Sequence, residues 1–457
     1  MLTLWNTRSR SLEAFTPLEE NEVGMYACGP TVYGELTLGN WRKYINDDVL
    51  RRVFLMEGYR VNHVVNITDV GHLVDDADVG EDKVEREAQK RGKTAWDIAH
   101  HYEQRFHEGM EAFHLLPPTS TPRATEHIAE QIRLVQHLEA TGHAYRTSDG
   151  VYFDTSTFPA YGALSGQKLE EKEASGRVET NNEKRHPADF ALWKLSPPGE
   201  QRSMEWESPW GVGFPGWHIE CSAMSVAYLG QPFDVHTGGV DHVAIHHENE
   251  IAQSETDGIS LARFWVHHEF LMVDGGRMGK SLGNGYVLDD LVKRGVDPIV
   301  YRFFVLGAHY RSKLNFTWEA LEGAEHALEK LKKSFLSWGE EEGEPDQPTC
   351  EAFRTALEED VHLPKALAVL WECVKSEMPS SAKRATLLLM DDVLGLGMRA
   401  WKEGVQADIP EEVTRLAEAR WQAKKEKNWA EADRLRKEIA SHGWQMEDGV
   451  DGWKLTP

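Results

Sequence analysis

The sequence predicts an α/β protein: a parallel α/β domain, interrupted by an insertion of irregular or β character and continued by a long helical region. Three observations carry this. Residues 20–70 read as strand, loop, helix, strand; residues 150–216 are rich in proline and glycine; and from Leu288 onward the pattern is predominantly helical.

The elements follow in order. Val23-Gly24-Met25-Tyr26-Ala27-Cys28 is a short apolar strand that meets a turn at Gly29-Pro30. A helix is expected from about Trp41 to Met56, because Ile45, Val49, Val53 and Phe54 recur at helical spacing. Val61 to Ile67 is a second apolar strand. Two strands joined by a helix make a parallel unit, whose ligand sites lie at the carboxyl ends of its strands, where Cys28 and Thr68 fall. Residues 95–143 read as helical. The insertion holds Pro159, Pro187, Pro197, Pro198, Pro209 and Pro215, with strand-like pieces such as Val151-Tyr152-Phe153. Phe233-Asp234-Val235-His236 resumes the strand pattern and Phe264-Trp265-Val266 continues it. Pro345 and Pro348, and then Pro410, break the helical region. Residues 411–441 read as one long helix stopped at His442-Gly443.

The 457 residues suffice for about three domains. No apolar run approaches the roughly 20 residues that span a bilayer, and the N-terminus has no basic start followed by an apolar core, so neither a membrane anchor nor a signal peptide is expected. Four cysteines do not make a disulfide framework, and a reducing cytoplasm is the expected compartment. The net charge of -25 argues against charge-driven adhesion to nucleic acid or anionic membrane. It leaves room for a local basic face: residues 340–344 are acidic, whereas 415–437 are rich in Arg and Lys.

Four clusters offer chemistry. Cys28, Cys221, His246 and Glu250 form a donor set suited to tetrahedral zinc. His246 and Glu250 are four apart, on one helix face. His247 and Glu248 compete as ligands, and spacing does not decide among them. A zinc ion with an exchangeable position selects a substrate that carries a thiol. Cys350 and Cys373 have no nearby His or Cys in sequence and read as structural. Thr37-Leu38-Gly39-Asn40 opens a helix, where a bare glycine backbone and the helix N-terminus suit a nucleotide phosphate. Gly275-Gly276-Arg277-Met278-Gly279-Lys280-Ser281-Leu282-Gly283-Asn284 is a glycine-rich loop with two cations three apart, suited to charge developing on a triphosphate. Gly238-Gly239-Val240-Asp241 places a carboxylate beside glycines at a strand end, where ribose hydroxyls bind.

In this order the motifs resemble the cysteinyl-tRNA synthetases, which are class I aminoacyl-tRNA synthetases. The resemblance spans almost the whole chain. It covers Cys28-Gly29-Pro30-Thr31-Val32-Tyr33, Asn66-Ile67-Thr68-Asp69, Tyr161-Gly162-Ala163-Leu164-Ser165 and Phe190-Ala191-Leu192-Trp193-Lys194. It continues through Trp217-His218-Ile219-Glu220-Cys221-Ser222, the run from His246 to Ser254, Lys280-Ser281-Leu282-Gly283-Asn284 and Ala308-His309-Tyr310-Arg311-Ser312.

The resemblance implies a Rossmann-like catalytic domain in two halves (1–117 and 216–284) around a connective insertion (118–215). A helical stem-contact region and bundle (285–409) and a small anticodon-binding domain (410–457) follow. It implies one Zn2+ on Cys28, Cys221, His246 and Glu250, bound directly by the substrate sulfur, and Mg2+ accompanying ATP. Trp217 and His236 match positions lining the side-chain pocket, and Gly29 and Thr68 match positions near the substrate's amino and carboxylate groups. Thr37 to Asn40 aligns with the HIGH signature and Arg277 to Ser281 with KMSKS. Thr37, Asn40 and Lys280 are the expected catalytic residues; Gly39, Asp241 and Ser281 join them in binding ATP. Both signatures depart from the common form, since Thr37, Asn40, Arg277 and Gly279 replace His, His, Lys and Ser. Arg277 keeps the charge with a different donor geometry. The expected partners are tRNA(Cys), ATP and L-cysteine, with no membrane and a monomeric enzyme. Residues 415–437, with Trp421 and Trp429, are expected to help hold the anticodon region by phosphate contacts and stacking. Residues 75–81 read as a surface loop. Two alternatives share part of this pattern: a ligase joining cysteine to an amino sugar, and a catalytically silent tRNA-binding paralogue.

Overall fold

The computed structural model describes residues 1–70, 83–166, 182–197, 199, 202–279, 282–341, 343–402, 410–448 and 453–456. Lys280, Ser281 and the 75–81 loop lie outside the described residues. The chain divides into two compact units, Met1–Arg399 and Ala400–Pro457.

The first unit is built on four parallel strands: β1 (Glu22–Ala27), β2 (Arg60–Val65), β3 (Phe233–Gly239) and β4 (Ala262–His268), in the order β4-β3-β1-β2. β1 and β2 are joined by α1 (Leu38–Met56), as the apolar spacing predicts. Its Ile45, Val49, Val53 and Phe54 are buried. The strand order reverses between β1 and β3, because the chain adds β2 on one side of β1 and β3 on the other. Such a switch point opens a crevice at the carboxyl ends of the strands. Cys28 follows β1 directly at this crevice. α2 (Ala95–Ala112), α3 (Trp217–Leu229) and α4 (His246–Ser254) complete the packing that concerns the site.

The expected β insertion is a four-stranded antiparallel sheet of Ala144–Thr147, Gly150–Phe153, Phe190–Leu195 and Gly213–Pro215. The region after Leu288 is predominantly helical as expected, beginning with α5 (Leu288–Lys293), with the short strand Leu314–Phe316 and a C-terminal hairpin as its β elements.

Two expectations are corrected. Residues 95–143 are not continuously helical: α2 ends at Ala112, and the next α-helix is Ile128–Ala140. Pro117, Pro118 and Pro122 lie between them, and proline removes the helix donor. The extended chain there bridges to β2 and its exit, Val64 to Ser120 and Ile67 to Arg123. Residues 411–441 are not one helix either. Glu411–Lys425 and Trp429–Ser441 are separate, because Lys427 takes φ 61 and Asn428 caps the second helix on the Glu431 N–H. With the hairpin Gln445–Asp448 and Trp453–Thr456 they form the second unit, whose core includes Val413, Ala417, Ile439 and Leu455.

Candidate active site

Three chain segments bring the predicted donor set together. The Cys28 backbone is pinned where β1 ends: its N–H donates to the Thr237 carbonyl at 3.2 Å, and Lys43 Nζ donates to its carbonyl at 2.6 Å. Cys221 lies on α3, and His246 and Glu250 on α4. One donor atom from each of the four falls within 4.8 Å of the others, and all four residues are buried. His246 Nε2 is 3.1 Å from Glu250 Oε1, and Cys28 Sγ is 3.8 Å from the same oxygen. Two sulfurs, a nitrogen and an oxygen converging in a buried space fit a divalent ion of zinc's ligand preference.

A second overlapping group, Cys28, His236, His247 and Glu250, meets the same distance criterion. His236 Nε2 lies 2.8 Å from Glu250 Oε2, so it orients the carboxylate from behind, stacked on Trp265 at 4.5 Å. His247 Nε2 lies 3.2 Å from Cys28 Sγ, and its Nδ1 lies 2.8 Å from His267 Nε2. Of the two competing ligands left open by spacing, Glu248 is occupied elsewhere. Its two oxygens accept the Gly162 and Ser165 N–H groups of the insertion at 2.8 and 2.9 Å. His247 stays within reach of the centre.

The electrostatics are those of a crowded anionic pocket. Burial, Cys221 and Glu250 push the Cys28 thiol well above its ordinary range. The hydrogen bond from Cys28, with help from His246, brings Cys221 down to about 6. Burial opposes charge on His246, but the Glu250 carboxylate and hydrogen bonds to Cys221 and Glu250 outweigh it and raise the imidazole to about 10.

The other predicted residues surround this centre. The Trp217 ring lies 4.3 Å from the His246 ring. Gly29 donates its N–H to Asn66 Oδ1 at 2.8 Å, and a Cβ on Gly29 would fall 1.5 Å from the Asn66 carbonyl oxygen. Asn66 Nδ2 in turn donates to Thr68 Oγ1 at 3.1 Å. Asn66 therefore couples the ends of β1 and β2, a role that the sequence reading did not assign. A polar residue closing an apolar strand was its signal. Lys43 and His267 were missed for a different reason, since their partners are remote in sequence.

Thr37 caps α1 in a reciprocal box with Asn40: Thr37 N–H donates to Asn40 Oδ1 at 3.0 Å and Asn40 N–H to Thr37 Oγ1 at 3.4 Å. A Cβ on Gly39 would lie 3.3 Å from Met278 Sδ, so the start of the glycine-rich loop abuts this corner. Asn284 ties that loop, donating to the Arg277 carbonyl at 3.1 Å and accepting from the Gly279 N–H at 2.9 Å. Asp241 is exposed just beyond the carboxyl end of β3. A Cβ on Gly239 would lie 2.1 Å from Asp241 Oδ1, so a side chain there would displace the exposed Asp241 carboxylate.

In sequence and in fold the chain is similar to known proteins. Residues 14–326 match the family described as "tRNA synthetases class I (C) catalytic domain". The chain is 49% identical over 456 residues to "Cysteine--tRNA ligase 1" of Burkholderia lata, covering 99% of this chain and 96% of the relative. It is 41% identical over 479 residues to the cysteine–tRNA ligase of Thermus thermophilus, covering 99% of each. Among solved structures, the fold resembles Mycobacterium tuberculosis methionyl-tRNA synthetase bound by methionyl-adenylate, with a TM-score of 0.56 and 16% identity over 82% of this chain and 90% of the other. It also resembles the leucyl enzyme in a ternary complex with tRNA from Agrobacterium radiobacter K84, with a TM-score of 0.58 and 12% identity over 83% of this chain and 84% of the other.

Proposed function

We propose, from the premise that the chain belongs to the cysteine–tRNA ligase family of class I aminoacyl-tRNA synthetases, that it charges tRNA(Cys) through a cysteinyl-adenylate and selects cysteine with one zinc ion. The observation that carries this reading is the convergence of Cys28, Cys221, His246 and Glu250 within 4.8 Å. A zinc ion held there supplies a soft Lewis-acid position that favours a thiolate over the hydroxyl of serine. An apolar pocket alone separates near-isosteres by only about 10- to 200-fold.

The chain's own residues do the rest by positioning. His236 fixes the Glu250 carboxylate, and Trp217 walls the side-chain pocket beside His246. Gly29 and Thr68, held by Asn66, face the amino and carboxylate groups of the amino acid. Thr37, Gly39 and Asn40 present the first turn of α1 to ATP, and Asp241 receives the ribose. Lys280 and Ser281 meet the phosphates, which Mg2+ accompanies. A cysteine carboxylate oxygen attacks the α-phosphorus, and the bond to the β-phosphate oxygen breaks to release pyrophosphate. A terminal ribose hydroxyl of tRNA then attacks the adenylate carbonyl carbon, and AMP leaves. Little covalent help is needed, and orientation and charge stabilisation lower the barrier.

Residues 1–117 and 216–284 supply the catalytic halves in this reading, 118–215 the insertion, 285–409 the stem-contact region and bundle, and 410–457 the anticodon-binding domain. The enzyme acts as a monomer in the cytoplasm. No described helix is long and apolar enough to cross a membrane.

The test is attachment of cysteine to tRNA, with and without a zinc chelator, with serine as competitor and with metal content measured on the same samples. About one zinc per chain and chelator-sensitive, serine-resistant charging are expected. Full charging by metal-free protein would overturn the zinc reading, and undiminished pyrophosphate exchange by Lys280→Ala would overturn the role of that residue.

A further inference from the structure

A cluster outside the donor set joins three segments that flank the nucleotide corner. Arg105, on α2, donates from Nε to Glu35 Oε1 at 2.8 Å, from Nη1 to Glu108 Oε2 at 2.8 Å and from Nη2 to Asp289 Oδ1 at 2.5 Å. Glu35 lies two residues before the α1 cap, and Asp289 lies in the first turn of α5. Between these two contacts the same segments meet directly. Leu38 N–H donates to the Tyr286 carbonyl at 2.7 Å, and Thr37 bridges to Val287. Arg105 therefore holds a junction between the α1 cap and the chain that leaves the glycine-rich loop.

Its own mount is firm. One residue away on α2, Phe106 stacks on Trp41 of α1 with centroids 5.7 Å apart. A lone surface ion pair contributes little. Here one guanidinium, only 24% exposed, receives three carboxylates in directions that suit its planar fork. Without that cation, three carboxylates face one another beside a site that takes a polyanion.

We infer that Arg105 is a positioning residue for ATP, one that sets the separation of the α1 cap from the segment after the glycine-rich loop. This rests on the reading of that corner as the nucleotide site. The prediction is specific to one substrate. Arg105 touches neither the donor set nor the Gly29–Asn66–Thr68 chain, so its loss shifts the KM for ATP and spares that for cysteine.

Cysteine-dependent pyrophosphate exchange separates the two layers. No exchange by the unaltered protein overturns the reading of the corner, and the inference falls with it. Given exchange, Arg105→Ala is expected to raise the KM for ATP about five- to tenfold, with the KM for cysteine within about twofold of the unaltered value. The charge-swapped pair Arg105→Asp with Asp289→Arg is expected to recover most of the loss suffered by Arg105→Asp alone. An unchanged KM for ATP in Arg105→Ala overturns the inference. So do equal losses for ATP and cysteine accompanied by a lowered melting temperature, which mark a merely structural role. Should Arg105→Ala not fold, Asp289→Asn, at a side chain 48% exposed, reads the same effect at smaller size. An unchanged KM for ATP there is equally decisive against it.

Discussion

Glu248 and Glu250 are two residues apart on one buried helix, and the structure predicts opposite consequences for losing them. Glu248→Ala removes the acceptor of two N–H groups, those of Gly162 and Ser165, at 2.8 and 2.9 Å. An unsatisfied buried donor costs about 1–3 kcal/mol, and bonds to a charged acceptor lie at the upper end. A loss of about 3–5 kcal/mol is therefore expected, lowered if water enters the space. It should read as a reduced urea midpoint, with zinc content after dialysis unchanged. Glu250→Ala should do the reverse in one respect, losing the metal, because its oxygens face His236, His246 and Cys28. Glu248→Gln keeps one acceptor oxygen and should fall between. If Glu248→Ala lost zinc while keeping its midpoint, the division of labour along α4 would be refuted.

Two further outcomes follow from single positions. His63 is buried with no partner for either ring nitrogen, and burial lowers its pKa from 6.5 to about 4. Its neutral form is favoured in the fold, so the unfolded chain binds more protons between those values. Stability should fall as pH drops through that window, by up to about 3 kcal/mol, and His63→Phe should flatten that part of the urea-midpoint profile; an unchanged slope would contradict the assignment. At Gly29 a methyl group would overlap the Asn66 carbonyl, so Gly29→Ala must separate the ends of β1 and β2. Displacement of about 1 Å at a reacting centre can cost about a hundredfold, and cysteine-dependent exchange should fall on that scale. Normal exchange by this variant would show that the strand ends need no such contact.

What the sequence made legible was local. The spacing of Ile45, Val49 and Val53 located α1, and the strand–helix–strand pattern placed Cys28 at the carboxyl end of a parallel strand. The break at 113–127 was legible in Pro117, Pro118 and Pro122 but was passed over, whereas the break at Lys427 turns on one left-handed residue that no spacing marks. Asn66, Lys43 and His267 were not found as site residues because their roles depend on partners that only the sheet order brings close.

The run His246-His247-Glu248-Asn249-Glu250 shows the boundary of legibility most sharply. Helical spacing paired His246 with Glu250, since residues four apart share a face. It left His247 and Glu248 open as competing ligands, because the choice lies in what each side chain meets: His247 stays within reach of Cys28, whereas Glu248 turns away. His247 meets His267 from β4, and Glu248 meets the turn at Gly162 to Ser165, which belongs to the insertion. Asn249 reaches the same turn, accepting from the Tyr161 hydroxyl at 2.6 Å. One nine-residue helix thus presents donors on one face and anchors the insertion on another. Losing a tie to the insertion therefore costs stability there, whereas losing a donor costs the metal.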